Sequence, residues 1–183
     1  YARIKTIDVT AARQVPGVHA VLTGYDLPAN LVGRMLRDMP MLAREVVLFA
    51  GQKVAAVAAE SADIAEEAMN LIEVEYEELP AVLDPVAAME PGASVLHPAF
   101  MSYEGRADAP QEPPNVVAHA TWQKGDAEQG LAEADYIFEH TFRTYHQHHG
   151  YLEPHATVVY LDDQNRVQVW ANSKAPFQVR KQI

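Results

Sequence analysis

The 183-residue sequence predicts an α+β chain made of two units joined by a proline-rich connection. Three observations predict it. Ile64, Ala65, Ala68, Leu71 and Ile72 recur at the helical period behind Ser61, a good N-cap, which marks one helix with a single buried face. Directly after it Ile72, Val74 and Tyr76 alternate with Glu73, Glu75 and Glu77, the period of a half-buried strand. Prolines at 80, 85, 91, 98, 110, 113 and 114 leave few stretches that could hold a helix, and patterned sequence resumes on their far side. The boundaries expected are 1–90 for the first unit, 91–114 for the connection and 115–183 for the second unit.

The elements follow in order. Val9 to Gln14 suits a short helix, Pro16-Gly17 breaks it, and His19 to Leu22 suits a strand. Residues 24–44, punctuated by Gly24, Pro28, Asn30, Gly33 and Pro40, are expected to be loop. Val46 to Phe49 and Val54 to Ala59, separated by Ala50-Gly51-Gln52-Lys53, have the spacing of a hairpin. In the second unit Asn115 to Trp122 suits a strand, and Asp126 with Gln129 has capping-box spacing before a short helix over about 127–134. Tyr136, Phe138, His140 and Phe142 alternate with Ile137, Glu139, Thr141 and Arg143, again a strand pattern. A hairpin of Ala156 to Leu161 and Val167 to Ala171 closes the chain, after which Ser173 and Pro176 suit a helix start. There is no initiator methionine at Tyr1, and the sequence stops at Ile183 within that last helical pattern, so a piece of a longer polypeptide is expected.

Charge and composition narrow the function. With 14 basic against 25 acidic side chains the formal charge is −11, which repels phosphate backbones and anionic lipid, so neither nucleic acid nor membrane is an expected partner. Ten of the acids fall between Glu60 and Glu90 without one Lys or Arg, and a solvated face is the simplest account of them. The absence of cysteine rules out disulfides, thiolate zinc sites, a cysteine nucleophile and an iron–sulfur cluster held by this chain. No apolar run approaches the roughly 20 residues a spanning helix needs, and the first residues lack a signal-peptide pattern, so the cytoplasm is the expected compartment.

Among residues that could carry chemistry, histidines are dense: His140, His146, His148, His149 and His155, with Glu153 able to add a carboxylate. Strand alternation would put His146 and His148 on one face and turn His149 away, and no HExxH pattern occurs, so hydrogen-bonded histidines that order a core are favoured over a metal site. Ser61, Ser94, Ser102 and Ser173 lack a nucleophile elbow, and the glycine-rich phosphate loops are missing. Asn172-Ser173-Lys174-Ala175-Pro176 has clearer logic. It joins a strand to a helix, where free backbone amides and the ammonium of Lys174 could meet an anionic or oxo-bearing ligand. An exposed surface lysine is the simpler alternative.

Taken together the segments resemble the molybdenum-cofactor-binding large subunit of the xanthine dehydrogenase, aldehyde oxidase and aerobic carbon monoxide dehydrogenase family. The resemblance rests on DVTAARQVPGVHAVLTGYDLP (8–28), FAGQKVAAVAAES (49–61) and IEVEYEELPAVLD (72–84), similar to the family's α/β hammerhead domain. GDAEQGLAEADYIFEHTFRT (125–144), HHGYLEPHATV (148–158) and VQVWANSKAPFQVRK (167–181) are similar to the start of its α+β molybdopterin-binding domain.

The resemblance implies a molybdenum hydroxylase that oxidises an aldehyde, N-heterocycle or similar carbon centre of a small molecule with water as oxygen source. It implies molybdenum on molybdopterin, as the cytosine dinucleotide, with 2Fe-2S and FAD centres on iron–sulfur and flavin partner subunits. The family's glycine-rich cofactor loop and catalytic glutamate lie downstream of this region, so the remainder of the large subunit is an implied partner and this piece alone is expected to be inactive. Lys174 falls where the family usually places a glutamine beside a molybdenum oxo ligand, which implies a catalytic and cofactor-binding place for Lys174 and a cofactor contact for Ala175. A lysine there also leaves open a hydroxybenzoyl-CoA-reductase-like member or a non-catalytic assembly subunit.

Overall fold

In the first part of the chain each regular element has a local cause. Strand β1 (Ala2–Asp8) runs into a one-turn helix, α1 (Thr10–Arg13), because the Asp8 carboxylate accepts the Thr10 N–H at 2.8 Å at the junction. Gly17, at φ +88°, then reverses the chain into β2 (Val18–Thr23). The structure, a computed structural model, describes residues 1–106 and 114–183, divided into two units, Tyr1–Ala120 and Thr121–Ile183.

The expected loop over 24–44 is mostly irregular, with a 3-10 turn at Gly24–Asp26 and a two-residue ladder between β3 (Leu31–Val32) and β4 (Met39–Pro40). Beyond it come β5 (Val46–Val47), β6 (Ala55–Ala59), α2 (Ala62–Asn70) and β7 (Glu73–Glu78). Ser61 caps α2 as its sequence suggests, accepting the Ile64 N–H at 3.3 Å.

The hairpin expected over 46–59 does not form. Gly51 (φ +88°) and the Phe49 C=O, which accepts from Gln52 N at 3.3 Å, do make a reversal. Beyond that reversal the two strands part: β5 pairs with β1, and β6 pairs with β2 from Val18↔Ala59 to Thr23↔Ala55. Each strand finds a partner remote in sequence, so local spacing alone is misleading. The result is an antiparallel sheet of order β5-β1-β7 and a separate β2-β6 pair.

The core of this unit is small-sided. Val9, Ala12, Val21 and Ala68 are buried, with Ile7, Val15, Val18, Val57 and Ile72 packed around them. A second cluster holds Ala2, Ala43 and Val47 against Ile4 and Val54. On β7 the acidic face meets basic residues of β1, Arg3 to Glu77 at 2.9 Å and Lys5 to Glu75 at 3.5 Å. The proline-rich stretch closes on itself, as Asn115 donates to the Ala88 and Ser94 carbonyls at 2.9 and 3.0 Å and accepts from Leu96 N at 2.9 Å. Pro110 and Pro113, which belong to the expected connection, lie outside the described residues.

The second unit holds α3 (Ala127–Ala132), β8 (Thr157–Leu161), β9 (Val167–Ala171) and α4 (Pro176–Gln182). The β8–β9 hairpin forms as expected, in register from Thr157↔Ala171 to Leu161↔Val167. Half of the capping box is present. Asp126 accepts from Gln129 N at 2.9 Å, while the Gln129 side chain turns to Glu133 at 2.7 Å instead of back to the cap. The strands expected at 115–122 and 136–143 are absent. The alternation over 136–143 is genuine, but a strand needs a ladder for its backbone groups, and no described strand pairs with either segment.

Candidate functional site

The strand-to-helix turn after β9 is built from three hydrogen-bonding groups. Asn172 Nδ2 donates to the Pro154 C=O at 2.9 Å, anchoring the exit of the strand. Ser173 Oγ accepts the Ala175 N–H at 2.9 Å, which bends the backbone at Lys174. The Ala175 C=O then accepts from Gln178 N at 3.0 Å and from Val179 N at 3.1 Å and opens α4, with Pro176 at its first turn.

This arrangement changes the expectation of free amides at the turn. Pro176 has no N–H, Ala175's is taken by Ser173, and those of Gln178 and Val179 are taken by Ala175. The N–H groups of Ser173, Lys174 and Phe177 are not taken up in this way, and beside them stands the Lys174 ammonium, which is exposed and has no ion pair among the described residues. Ala175 is half-buried and its backbone is committed, so a contact from it would be through its methyl group. Next to the turn, β9 and α4 enclose a cleft of about 340 Å³ walled by Val167, Val169, Ala171 and Val179, with Ser173 and Arg180 also lining it. Arg180 lies over the Phe177 ring at 5.5 Å.

The roles of Asn172 and Ser173 are not predicted by the sequence patterns above. Their signal is compositional, since Asn and Ser favour turns through side-chain to backbone bonds.

The histidines are arranged differently from strand alternation. His148 and His149 stack with ring centres 5.5 Å apart and 15° between planes, and Tyr151 lies against both at 5.2 and 5.4 Å. The cause is Gly150, at φ +61°, whose N–H donates to His148 Nδ1 at 3.0 Å and folds the chain back. His140, His146, His155 and Glu153 are exposed in this unit, so the expectation that they order a core is not met. Among the described residues no three His, Asp or Glu side chains converge as metal ligands. The serines have local work: Ser61 caps α2, and Ser102 Oγ donates to the Ala99 C=O at 2.8 Å.

The comparisons with known proteins show that the chain belongs to the aldehyde oxidase and xanthine dehydrogenase family. Residues 1–80 match the aldehyde oxidase and xanthine dehydrogenase a/b hammerhead domain, and residues 109–183 match the molybdopterin cofactor-binding domain. It is 36% identical over 189 residues to the carbon monoxide dehydrogenase large chain of Afipia carboxidovorans, covering 98% of this chain and 23% of that one. It is 30% identical over 184 residues to the nicotinate dehydrogenase large molybdopterin subunit of Eubacterium barkeri, covering 100% of this chain and 40% of that one. Among solved structures, CO dehydrogenase from Oligotropha carboxidovorans matches with a TM-score of 0.81 and 34% identity, over 98% of this chain and 23% of that one. The chain thus spans less than half the length of each of these relatives.

Proposed function

We propose that this chain is part of the catalytic large subunit of a molybdenum hydroxylase-type oxidoreductase. Its substrate is an aldehyde, N-heterocycle or similar small molecule oxidised at carbon, with water as oxygen source. Residues 1–90 are the hammerhead domain, 91–114 the connection and 115–183 the opening of the cofactor-binding domain. The observation that carries the reading is the molybdopterin-domain match over 109–183, whose last part contains the Lys174 turn.

The donor set at that turn fits an oxo-bearing or anionic group. Lys174 offers an exposed ammonium with up to three N–H donors and no protein partner among the described residues. When bound, molybdenum on molybdopterin, in its cytosine dinucleotide form, supplies the electron-accepting centre. Lys174 would hold it by a hydrogen bond from Nζ, and Ala175 would pack against it through its methyl group. Ser173 and Asn172 fix the backbone that aims the lysine. Partner subunits would hold the 2Fe-2S and FAD centres that take up the electrons, since this chain has no cysteine to hold a cluster. The assembled enzyme works in the cytoplasm, and this piece by itself is inactive.

A second reading is a hydroxybenzoyl-CoA-reductase-like member, favoured by the charge Lys174 brings where a neutral amide is usual. Metal analysis by mass spectrometry of the native complex, with release of the pterin nucleotide, tests the proposal. Stoichiometric molybdenum and a cytosine nucleotide are expected. A fully assembled complex without molybdenum would instead leave the chain a non-catalytic assembly subunit.

A further inference from the structure

Two segments of the first unit that are remote in sequence hold each other in place: the loop that carries β3 and β4 (31–40) and residues 94–106 of the proline-rich connection. The Arg37 N–H donates to the Glu104 C=O at 2.9 Å, and the Arg37 guanidinium pairs with the Glu104 carboxylate at 2.9 Å. Gly105, at φ +81°, comes so near the loop that a Cβ there would run into the Met35 carbonyl oxygen. Beside them the titration of the Tyr103 phenol is pushed up, first by burial and then by the Asp38 carboxylate of the loop.

These contacts continue into the connection without a break. The Tyr103 ring meets His97 edge-on with centres 5.7 Å apart, and the Tyr103 hydroxyl shares a hydrogen bond with His97 Nδ1 at 3.2 Å. His97 follows Leu96, whose N–H donates to Asn115 Oδ1 at 2.9 Å, while Asn115 Nδ2 donates to the Ala88 and Ser94 carbonyls. A line of bonds therefore leads from Asn115 to Met35. Among the described residues β3 and β4 pair with each other alone, and the two buried clusters of this unit draw on no residue of 31–40 or 94–106.

From this juxtaposition we propose that the loop 31–40 and the connection over 94–106 form one strap that opens and closes as a unit, apart from the core of helices and sheets, with Gly105 and Asn115 as its two fastenings. Every contact it needs lies within the first unit. A partner seated on either segment fixes the other with it, because the two share one opening step.

Hydrogen exchange in the complete complex tests this, read by mass spectrometry in peptides that carry Arg37, Leu96 and, as the reference, Ala65 of α2, whose N–H donates to the Ser61 C=O. Asn115→Gly removes the side-chain bonds and tolerates the backbone at φ +61°, whereas Gly105→Ala drives a methyl group at the Met35 carbonyl. Each variant is expected to speed exchange at both Arg37 and Leu96 roughly tenfold or more and to leave Ala65 as it was. If Asn115→Gly leaves Arg37 unmoved, or Gly105→Ala leaves Leu96 unmoved, the segments open independently and the proposal falls. It falls too if Ala65 speeds up with them, or if the wild-type amides exchange at the intrinsic rate. Where a variant does not assemble, the wild type decides. In low urea Arg37 and Leu96 are expected to share one dependence of exchange on denaturant, shallower than that of Ala65, and separate dependences overturn the proposal.

Discussion

Asp162 shows how much one side chain can hold in this chain. It sits at the end of β8, and its Oδ1 accepts from Gln164 N at 3.0 Å and Arg166 N at 2.9 Å, while its Oδ2 takes the Arg166 and Gln168 side chains. The Arg166 backbone bond is the main reason its carboxyl titrates below the usual carboxylate range, with burial pulling the other way and the Gln168, Arg166 and Gln164 bonds adding to the lowering. A carboxyl lowered in the folded state stabilises it above the unfolded value, about 3.9, and that stabilisation fades as pH falls through the lower folded value. Amide exchange in β8 and β9 is therefore expected to accelerate as pH is lowered below about 4, beyond its intrinsic pH dependence, and Asp162→Asn should abolish that acceleration. Asn165 completes the reversal at φ +59°, a conformation asparagine tolerates better than most residues. This residue-scale logic was legible in sequence as a turn-rich DDQNR stretch between two apolar strands.

Helix α2 belongs to the scale of elements. Its cap, Ser61, and its buried side were readable because both depend on residues within a turn or two of one another. What the period did not disclose is how near its neighbours come. Ala68 of α2 and Ala12 of α1 are both 0% exposed in one cluster with Val9 and Val21, so the two helices meet through methyl groups. Ala68→Leu adds three carbons where no space is left, and an expected loss of about 1–3 kcal/mol would appear as a lower urea midpoint with an unchanged slope. The β5 and β6 strands illustrate the opposite case. Their turn was legible at Gly51, whereas their partners, β1 and β2, were settled by pairings across much of the chain.

At the scale of the molecule, two surfaces stand out. The acidic run over Glu60 to Glu90 is in part neutralised where β7 lies against Arg3 and Lys5, and these exposed pairs contribute little to stability. In the second unit large apolar side chains are open: Trp122 is 94% exposed, Phe142 87% and Leu152 98%. Such surface is unusual for a stable monomer and binds hydrophobic dyes. The 183-residue chain by itself is expected to enhance 1-anilinonaphthalene-8-sulfonate fluorescence strongly, and Trp122→Ser with Phe142→Ser to reduce that enhancement.

The amino-acid sequence by itself determined the α+β class, the family, the capped helix α2 and the β8–β9 hairpin. It also singled out Lys174 as the place where the charge departs from the usual pattern. Each of these depends on a short period, a local turn or an ordered string of residues. Only the tertiary structure decided that β5 and β6 join different partners, and that the segments at 115–122 and 136–143 lack a ladder. It decided as well that Gly150 stacks His148 on His149, and that the turn at Lys174 uses the amides of Ala175, Gln178 and Val179 within itself. The physical reason is shared. A hydrogen-bond ladder or a free donor is defined by which group lies opposite it in space, and the spacing of residues along a chain does not encode that partner.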